Sequence, residues 1–172
     1  MPYDTICHIV GRGAGGAGVR VSASVIIASD PRSVWAFITD PENGPRWQEA
    51  AVSTKVTTSG PVRIGSEMEH TARWLGMRMR TRAVVTVFDP PTAFGYDITS
   101  SMSRTPSLMR YTLEDVPGGT RLTLSNEATL PWVMAPFGGI LRRSVQRMFE
   151  RDVGRLRDVL ERRGTERMAA RA

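Results

Sequence analysis

The chain has 172 residues, of which 41% are hydrophobic and 23% charged, and this suits one globular domain with a sizeable core. No apolar run approaches the roughly 20 residues of a transmembrane helix, and the first residues lack the basic start and apolar run of a secretory signal. The single cysteine, Cys7, excludes an intrachain disulfide and fits the reducing cytoplasm, which is the predicted location.

The net charge of +6 is concentrated at the C-terminal end of the chain. Residues 141–172 carry ten arginines and five acidic residues, so five of the six excess positive charges lie there. The rest of the chain is close to neutral, which argues against a nucleic-acid-binding surface. A solvated helix face is the simplest interpretation of these arginines. The alternatives to a solvated face are contact with an anionic membrane surface and contact with an acidic carrier protein.

A glycine-rich stretch, residues 11–18, matches the spacing of a dinucleotide-binding fingerprint at Gly11, Gly13 and Gly16. That fingerprint requires a helix directly after the glycines, whereas residues 19–27 alternate in the manner of a strand. We therefore interpret residues 1–20 as a flexible N-terminal segment with a linker, and we predict no cofactor.

The predicted elements after this segment are a strand, two short helices, six strands and a long helix. Asp30 and Pro31 form a helix start, and the residues around Trp47 favour a second short helix. Turn residues separate the six strands, which are predicted at 52–58, 66–74, 77–88, 93–101, 107–116 and 120–130. Residues 138–163 repeat apolar positions at three- and four-residue steps and predict a helix of roughly 37 Å. Residues 164–172 are expected to fray.

Short connections between the strands predict an antiparallel meander, and a sheet with one apolar face buries it best by curling around the helix. Residues 24–47, 85–98 and 111–131 and the final helix together resemble the START-like, or Bet v 1-like, superfamily, most closely its polyketide cyclase/dehydrase-type group of SRPBCC proteins. The resemblance covers residues 21–163. It implies an α+β helix-grip fold, in which a curved antiparallel sheet of about seven strands wraps a long C-terminal helix around a ligand cavity.

Strand alternation predicts which side chains face this cavity. Charged residues occupy alternate positions of the strands at 66–74 and 77–88, so the other positions, Met77 among them, are expected to point inward. The predicted ligand contacts are Trp47, Met68, His70, Trp74, Met79, Thr81, Tyr96, Met109, Tyr111, Asn126, Val145 and Phe149. A mostly apolar wall with a few polar groups is typical of a site for a small hydrophobic molecule.

His70 is the one predicted inward side chain that titrates near neutral pH, and Tyr96 and Tyr111 supply phenols beside it. Two functions therefore stay open. The first is binding of a lipid or polyketide-like molecule. The second is a polyketide cyclase/aromatase-type reaction in which His70 and a tyrosine move protons. A plain core histidine is a third interpretation of the same position. Two histidines and one cysteine offer no metal-ligand cluster, so no metal site is predicted.

Overall fold

The computed structural model describes residues 17–74, 76–100, 103–130 and 137–169, and its main element is an antiparallel sheet. The strands are β1 (Ala17–Ile27), β2 (Ala51–Val56), β3 (Glu67–Trp74), β4 (Met77–Asp89), β5 (Ala93–Ser100), β6 (Ser103–Val116) and β7 (Gly119–Leu130). Their order across the seven-stranded sheet is β1-β7-β6-β5-β4-β3-β2, so every neighbouring pair except β1 and β7 is consecutive in the chain. This confirms the predicted α+β helix-grip architecture.

Two short helices and one long helix complete the fold. They are α1 (Pro31–Ile38), α2 (Gly44–Trp47) and α3 (Gly138–Ala169), with a 3-10 turn at Pro41–Asn43. Asp30 caps α1 as predicted, because its carboxylate accepts a hydrogen bond of 3.0 Å from the Ser33 N–H, one of the donors that a helix start leaves unpaired. No helix within the described ranges is both long and apolar enough to cross a membrane.

The ends of two elements differ from the sequence prediction. β1 begins at Ala17, inside the predicted flexible segment, because its first residues pair with the end of β7, where Ala17 lies opposite Leu130. Helix α3 continues to Ala169, six residues beyond the end predicted at position 163. The good helix formers around Gly164 offset its cost of about 1 kcal/mol. Residues 1–16, with the predicted linker, and 170–172 lie outside the described residues.

Helix α3 lies along β1 and runs in the same direction. The Gln146 side chain donates a hydrogen bond of 2.8 Å to the Ser22 carbonyl. Further along, the Ala28 N–H donates to the Glu161 carboxylate at 3.1 Å. The buried apolar stripe of the helix packs on the inner face of the sheet and comprises Phe149, Val153, Leu156 and Leu160. The start of α3 therefore lies at the end of the sheet where β1 begins.

The inner face of the sheet is buried at one end and half-buried at the other. The end beside α1 is filled by buried residues, including Val85, Phe94, Tyr111, Leu113, Leu122 and Leu124. Half-buried inner-face residues mark the other end, which we name the open end; they are Ala72, Met79, Thr81, Ile98, Met109 and Asn126. Solvent therefore reaches the inner face from the side where α3 begins.

Strand alternation predicted the two faces of β3 and β4, although it did not predict the exposure of Met77. Met68, Ala83 and Val85 are buried, whereas the alternating arginines of β4 are exposed. Met77 was predicted to point inward but is 61% exposed. It is the first residue of β4, opposite Trp74 at the tip of the β3–β4 hairpin, and by alternation it shares the face of Met79. The register therefore agrees with the face predicted for Met77, but its side chain is not buried.

Candidate ligand-binding site

A connected group of polar side chains lies on the inner face. The hydroxyl oxygens of Tyr96 in β5 and Tyr111 in β6 are 3.2 Å apart. Gln48, directly after α2, donates from Nε2 to the Tyr111 hydroxyl at 3.0 Å. The His70 ring stacks on the Tyr96 ring, with centroids 5.1 Å apart and planes at 26°, and its Nδ1 lies 2.9 Å from Thr54 Oγ1. We name these five residues the polar cluster.

The strand register explains why His70 and Tyr96 meet across an intervening strand. In β4, Thr81 lies opposite His70 and Val85 lies opposite Tyr96. Ala83 lies between these two positions on the same face, because side chains two residues apart share a face of a strand. Its single methyl group leaves space above it, so the two rings can stack over β4.

Burial determines the protonation states of the polar cluster. Desolvation lowers the pKa of His70 below its ordinary value, because the charged imidazolium loses its hydration. Burial likewise raises the pKa of Tyr96, and it raises that of Tyr111 well above its usual range, with the neighbouring Tyr96 adding to the effect. At neutral pH the cluster therefore holds a neutral imidazole beside two protonated phenols.

The Nε2 atom of His70 is buried and has no hydrogen-bond partner among the described residues. A buried polar atom without a partner costs about 1–3 kcal/mol. If Nδ1–H donates to Thr54, Nε2 carries a lone pair; if the Thr54 hydroxyl donates to Nδ1, Nε2 carries the proton. In both tautomers His70 offers one open hydrogen-bonding position inside the fold.

A cavity of about 30 Å³ lies beside the polar cluster. Its lining includes Trp47, Met68, Phe94 and the two tyrosines. This volume holds only one or two water molecules. The sequence predicted a ligand-sized cavity, but large aromatic side chains fill the interior at this position. Among the described residues, the half-buried surface of the open end leads from this cavity toward solvent.

The predicted ligand contacts divide into two groups in the structure. Trp47, Met68, Tyr96 and Tyr111 line the small cavity, and His70 stacks against its edge. A second group lies at the open end or on α3; its members are the half-buried Met79, Thr81, Met109, Asn126 and Val145 and the buried Phe149. The side chain of Trp74 lies outside the described residues.

Asn126 is less available to a ligand than the sequence predicted. Its Nδ2 donates to the Ser107 hydroxyl at 2.7 Å and to the Leu108 carbonyl at 3.3 Å. Both partners belong to β6, the strand beside β7. The donor side of this amide therefore connects two strands, and only its carbonyl oxygen is left to meet a ligand.

Three residues of this region were missed by the sequence analysis. Gln48 and Thr54 belong to the polar cluster, and Asp152 on α3 is only 4% exposed. The Asp152 carboxylate accepts a hydrogen bond of 2.8 Å from the Glu49 N–H. Burial raises its pKa from 3.8 to about 6. The spacing gave a usable signal for Asp152, because position 152 is three residues after Phe149 and so falls within the apolar stripe.

The segment after α2 is fixed to α3 around Asp152. The Glu49 carboxylate accepts a hydrogen bond from Arg151 Nε at 2.9 Å and lies 3.7 Å from Arg155. Because Gln48 directly precedes Glu49 in the chain, this anchor also positions the Gln48 amide group against Tyr111. Among the described residues, no group of three histidine, cysteine or acidic side chains is arranged to hold a metal ion.

A larger groove of about 600 Å³ lies on the outside of the molecule, between α1 and the last turns of α3. Its lining mixes polar side chains with Ala36, Phe37 and Leu160, and the Arg163 guanidinium lies 4.9 Å above the Phe37 ring at its edge. Asp40 is the single residue that lines both this groove and the small cavity. The groove is therefore a surface feature, separate from the inner face.

A curved sheet that grips a C-terminal helix, with a polar cluster on its inner face, defines a START-like, or Bet v 1-like, domain. The chain belongs to the family described as polyketide cyclase / dehydrase and lipid transport, which matches residues 18–161. This confirms the family resemblance found in the sequence. A search of the curated proteins finds no match to the chain.

Solved structures share the fold at low sequence identity. SA2116, a protein of unknown function from Staphylococcus aureus, is 12% identical, with a TM-score of 0.71 over 87% of this chain and 98% of that one. Ms6760 from Mycobacterium smegmatis is 16% identical, with a TM-score of 0.63 over 93% and 98% of the two chains. The di-domain ARO/CYC BexL from the BE-7585A biosynthetic pathway is 15% identical, with a TM-score of 0.67 over 82% of this chain and 49% of that one. At these identities the likeness shows the fold alone.

Proposed function

We propose that the protein binds a small hydrophobic molecule, lipid or polyketide-like, on the inner face, with the polar end of the molecule at the polar cluster. The observation that carries this proposal is the buried, unpartnered Nε2 of His70 beside two protonated phenols. A ligand oxygen would satisfy that nitrogen, and the apolar wall around it would hold the rest of the molecule. Membership of a family that includes lipid transport supports the same function.

The ligand reaches the polar cluster from the open end in this proposal. Thr81 lies directly opposite His70, and Met79 is two residues further toward the half-buried end of the same strand. Met109 on β6 and Val145 on α3 are half-buried as well. Methionine side chains adapt to ligands of irregular shape, so this surface suits a flexible or fused-ring hydrocarbon body.

A pair of fluorescent probes tests the proposal: 2-naphthol, which carries one hydroxyl, and naphthalene, which carries none. We expect the protein to bind 2-naphthol about fivefold more tightly, the value of one hydrogen bond of roughly 1 kcal/mol. His70→Phe keeps an aromatic ring on Tyr96 but removes both nitrogens. It should bind naphthalene as before and lose the preference for 2-naphthol. Fluorescence titration measures both affinities.

The matched control is Thr86→Val on the outer face of β4, where Thr86 hydrogen-bonds Asp97 at 2.9 Å. This variant should keep the wild-type preference. If the wild-type protein binds neither probe, or binds both equally well, the proposed site is wrong.

The neutral imidazole also favours a second candidate function, a polyketide cyclase/aromatase-type reaction. In the tautomer with a free lone pair, Nε2 can remove a proton from the carbon between two ketones. The enolate carbon then attacks another carbonyl of the same molecule, while a tyrosine hydroxyl hydrogen-bonds the oxygen that gains charge. The proton returns to that oxygen, so no co-reactant is consumed. Turnover of a reactive polyketone by the wild type and not by His70→Ala, compared with the uncatalysed rate, would favour this function over binding alone.

A further inference from the structure

The start of α3 exposes apolar side chains next to arginines. Phe137, directly before the helix, is 62% exposed, and Ile140 is 73% exposed. Arg143 and Arg147 follow on the same side of the helix at three- and four-residue steps, and both are exposed. Neither has an ion-pair partner in the described part of the chain. An apolar group followed by unpaired cations on one exposed helix face is typical of a segment that lies at a membrane interface.

The tip of the β3–β4 hairpin has the same chemistry. Arg73 and Arg78 are exposed and lie directly opposite each other across the two strands. Like charges in this position destabilise a strand pair, and no described acidic side chain forms an ion pair with either arginine. Met77, beside Arg78, is the exposed methionine of this tip. An anionic partner would offset the repulsion between the arginines while the methionine contacts its apolar part.

Both groups lie at the open end of the domain. The strands from β3 to β7 are antiparallel in chain order, so the β3–β4 turn lies at the same end of the sheet as the end of β7. The start of β1 pairs with the end of β7 and therefore lies at that end as well. Gln146 contacts Ser22 of β1, and Ile140 and Phe137 extend about 9–14 Å further toward that end. The half-buried part of the inner face lies between the two groups.

We propose that this end of the domain docks on an anionic membrane surface, through Phe137, Ile140, Arg143 and Arg147 of α3 together with Arg73, Met77 and Arg78 of the hairpin tip. An acidic protein would satisfy the arginines, but it would not account for three large apolar side chains exposed at the same end. Anionic lipid satisfies both, because its headgroups pair with arginine and its acyl region accepts the apolar groups. Docking in this orientation places the open end against the bilayer. Passage of a ligand between the bilayer and the inner face rests on the proposed function, whereas docking itself does not.

Co-sedimentation with vesicles tests the docking surface. The vesicles contain phosphatidylcholine alone or phosphatidylcholine mixed with phosphatidylglycerol. We expect the wild type to bind the mixed vesicles far more tightly. Arg143→Gln with Arg147→Gln should weaken that binding about 25-fold, at about fivefold for each arginine. Phe137→Ser with Ile140→Ser should weaken it by about tenfold or more.

Two control variants place the same changes at the opposite end of the molecule. Ile64, 63% exposed, precedes Gly65, whose N–H bonds the Val85 carbonyl near the buried end of the sheet. Arg32 on α1 and Arg162 in the last turns of α3 are exposed as well. Ile64→Ser and the pair Arg32→Gln with Arg162→Gln should both bind the mixed vesicles like the wild type.

Three results would overturn the docking surface. The first is equal wild-type binding to neutral and mixed vesicles, or none to either. The second is a loss in the control variants as large as in the docking variants. The third is a loss in the arginine pair alone, which would show charge attraction to the vesicles without the apolar contact that the docking surface requires. The docking variants should still prefer 2-naphthol without vesicles, and His70→Phe should still bind vesicles, so failure of ligand binding and failure of docking are separate outcomes.

Discussion

Replacing Leu156 with alanine is expected to lower the free energy of unfolding by about 2–5 kcal/mol. Leu156 is 0% exposed and lies in the apolar stripe of α3, between Val153 and Leu160. The truncation removes contacts with the inner face of the sheet and leaves a cavity that a packed sheet and helix cannot close. Urea unfolding followed by circular dichroism measures the change.

Ile140→Ala is the matched control for Leu156→Ala, because it shortens a similar side chain on the same helix. Ile140 is 73% exposed, so the expected change is within about 0.5 kcal/mol. A small change in both variants would mean that the sheet does not grip the stripe, and the architecture would then need revision.

Replacing Asp152 with asparagine is expected to stabilise the protein at pH 8 by up to about 3 kcal/mol and to have no such effect at pH 4. Burial raises the pKa of Asp152 from 3.8 to about 6, so the folded state holds this proton more tightly than the unfolded chain. The resulting stabilisation is complete below about pH 3.8 and is lost as the pH rises through about 6. Asparagine does not ionise, and its side-chain oxygen can still accept the hydrogen bond from the Glu49 N–H.

The measurement is the difference in free energy of unfolding between Asp152→Asn and the wild type at several pH values. The difference should grow as the pH rises from about 4 to about 6, with its midpoint near pH 5, halfway between the pKa values of the unfolded and folded states, and it should stay level from there to pH 8. Asp152→Ala, which loses the hydrogen bond to Glu49 as well, should be less stable than Asp152→Asn at every pH. A difference that stays constant with pH would show that Asp152 does not change its protonation in this range.

Local chemistry was enough to predict the elements of the fold, whereas the helix-grip arrangement was what the family resemblance implied. Charges at alternate positions of β3 and β4 fixed their outer face, and turn residues marked the strand ends to within a few positions. The repeat of Phe149, Val153, Leu156 and Leu160 indicated one apolar side of the long helix. These patterns depend only on neighbours in the chain, so one sequence contains them.

The candidate site was predictable only in part. His70, Tyr96 and Tyr111 were placed on the inner face by alternation, but the stacking of His70 on Tyr96 depends on Ala83 in the strand between them. Gln48 follows a four-residue helix whose direction no periodicity reveals. The cavity volume depends on how all the interior side chains pack together, and no local pattern predicts that.

Asp152 on α3 shows a second limit of prediction from the sequence. Sequence patterns offer no prediction for Asp152, because a carboxylate is rarely buried without a partner and no partner is visible nearby in the chain. The partner is the backbone N–H of Glu49, far away in the sequence. A pairing of this kind depends on the tertiary structure, although the position of Asp152 within the apolar stripe was a visible sign of it.

The open hydrogen-bonding position at His70 is tested most directly by the ¹⁵N resonance of its Nε2 atom. The chain has two histidines, so His8→Gln leaves His70 as the single imidazole to be observed. Addition of 2-naphthol is expected to shift the Nε2 resonance to saturation, over the concentration range in which the fluorescence titration reports binding, whereas naphthalene should leave it in place. A resonance that stays fixed while 2-naphthol binds would contradict a ligand site at His70.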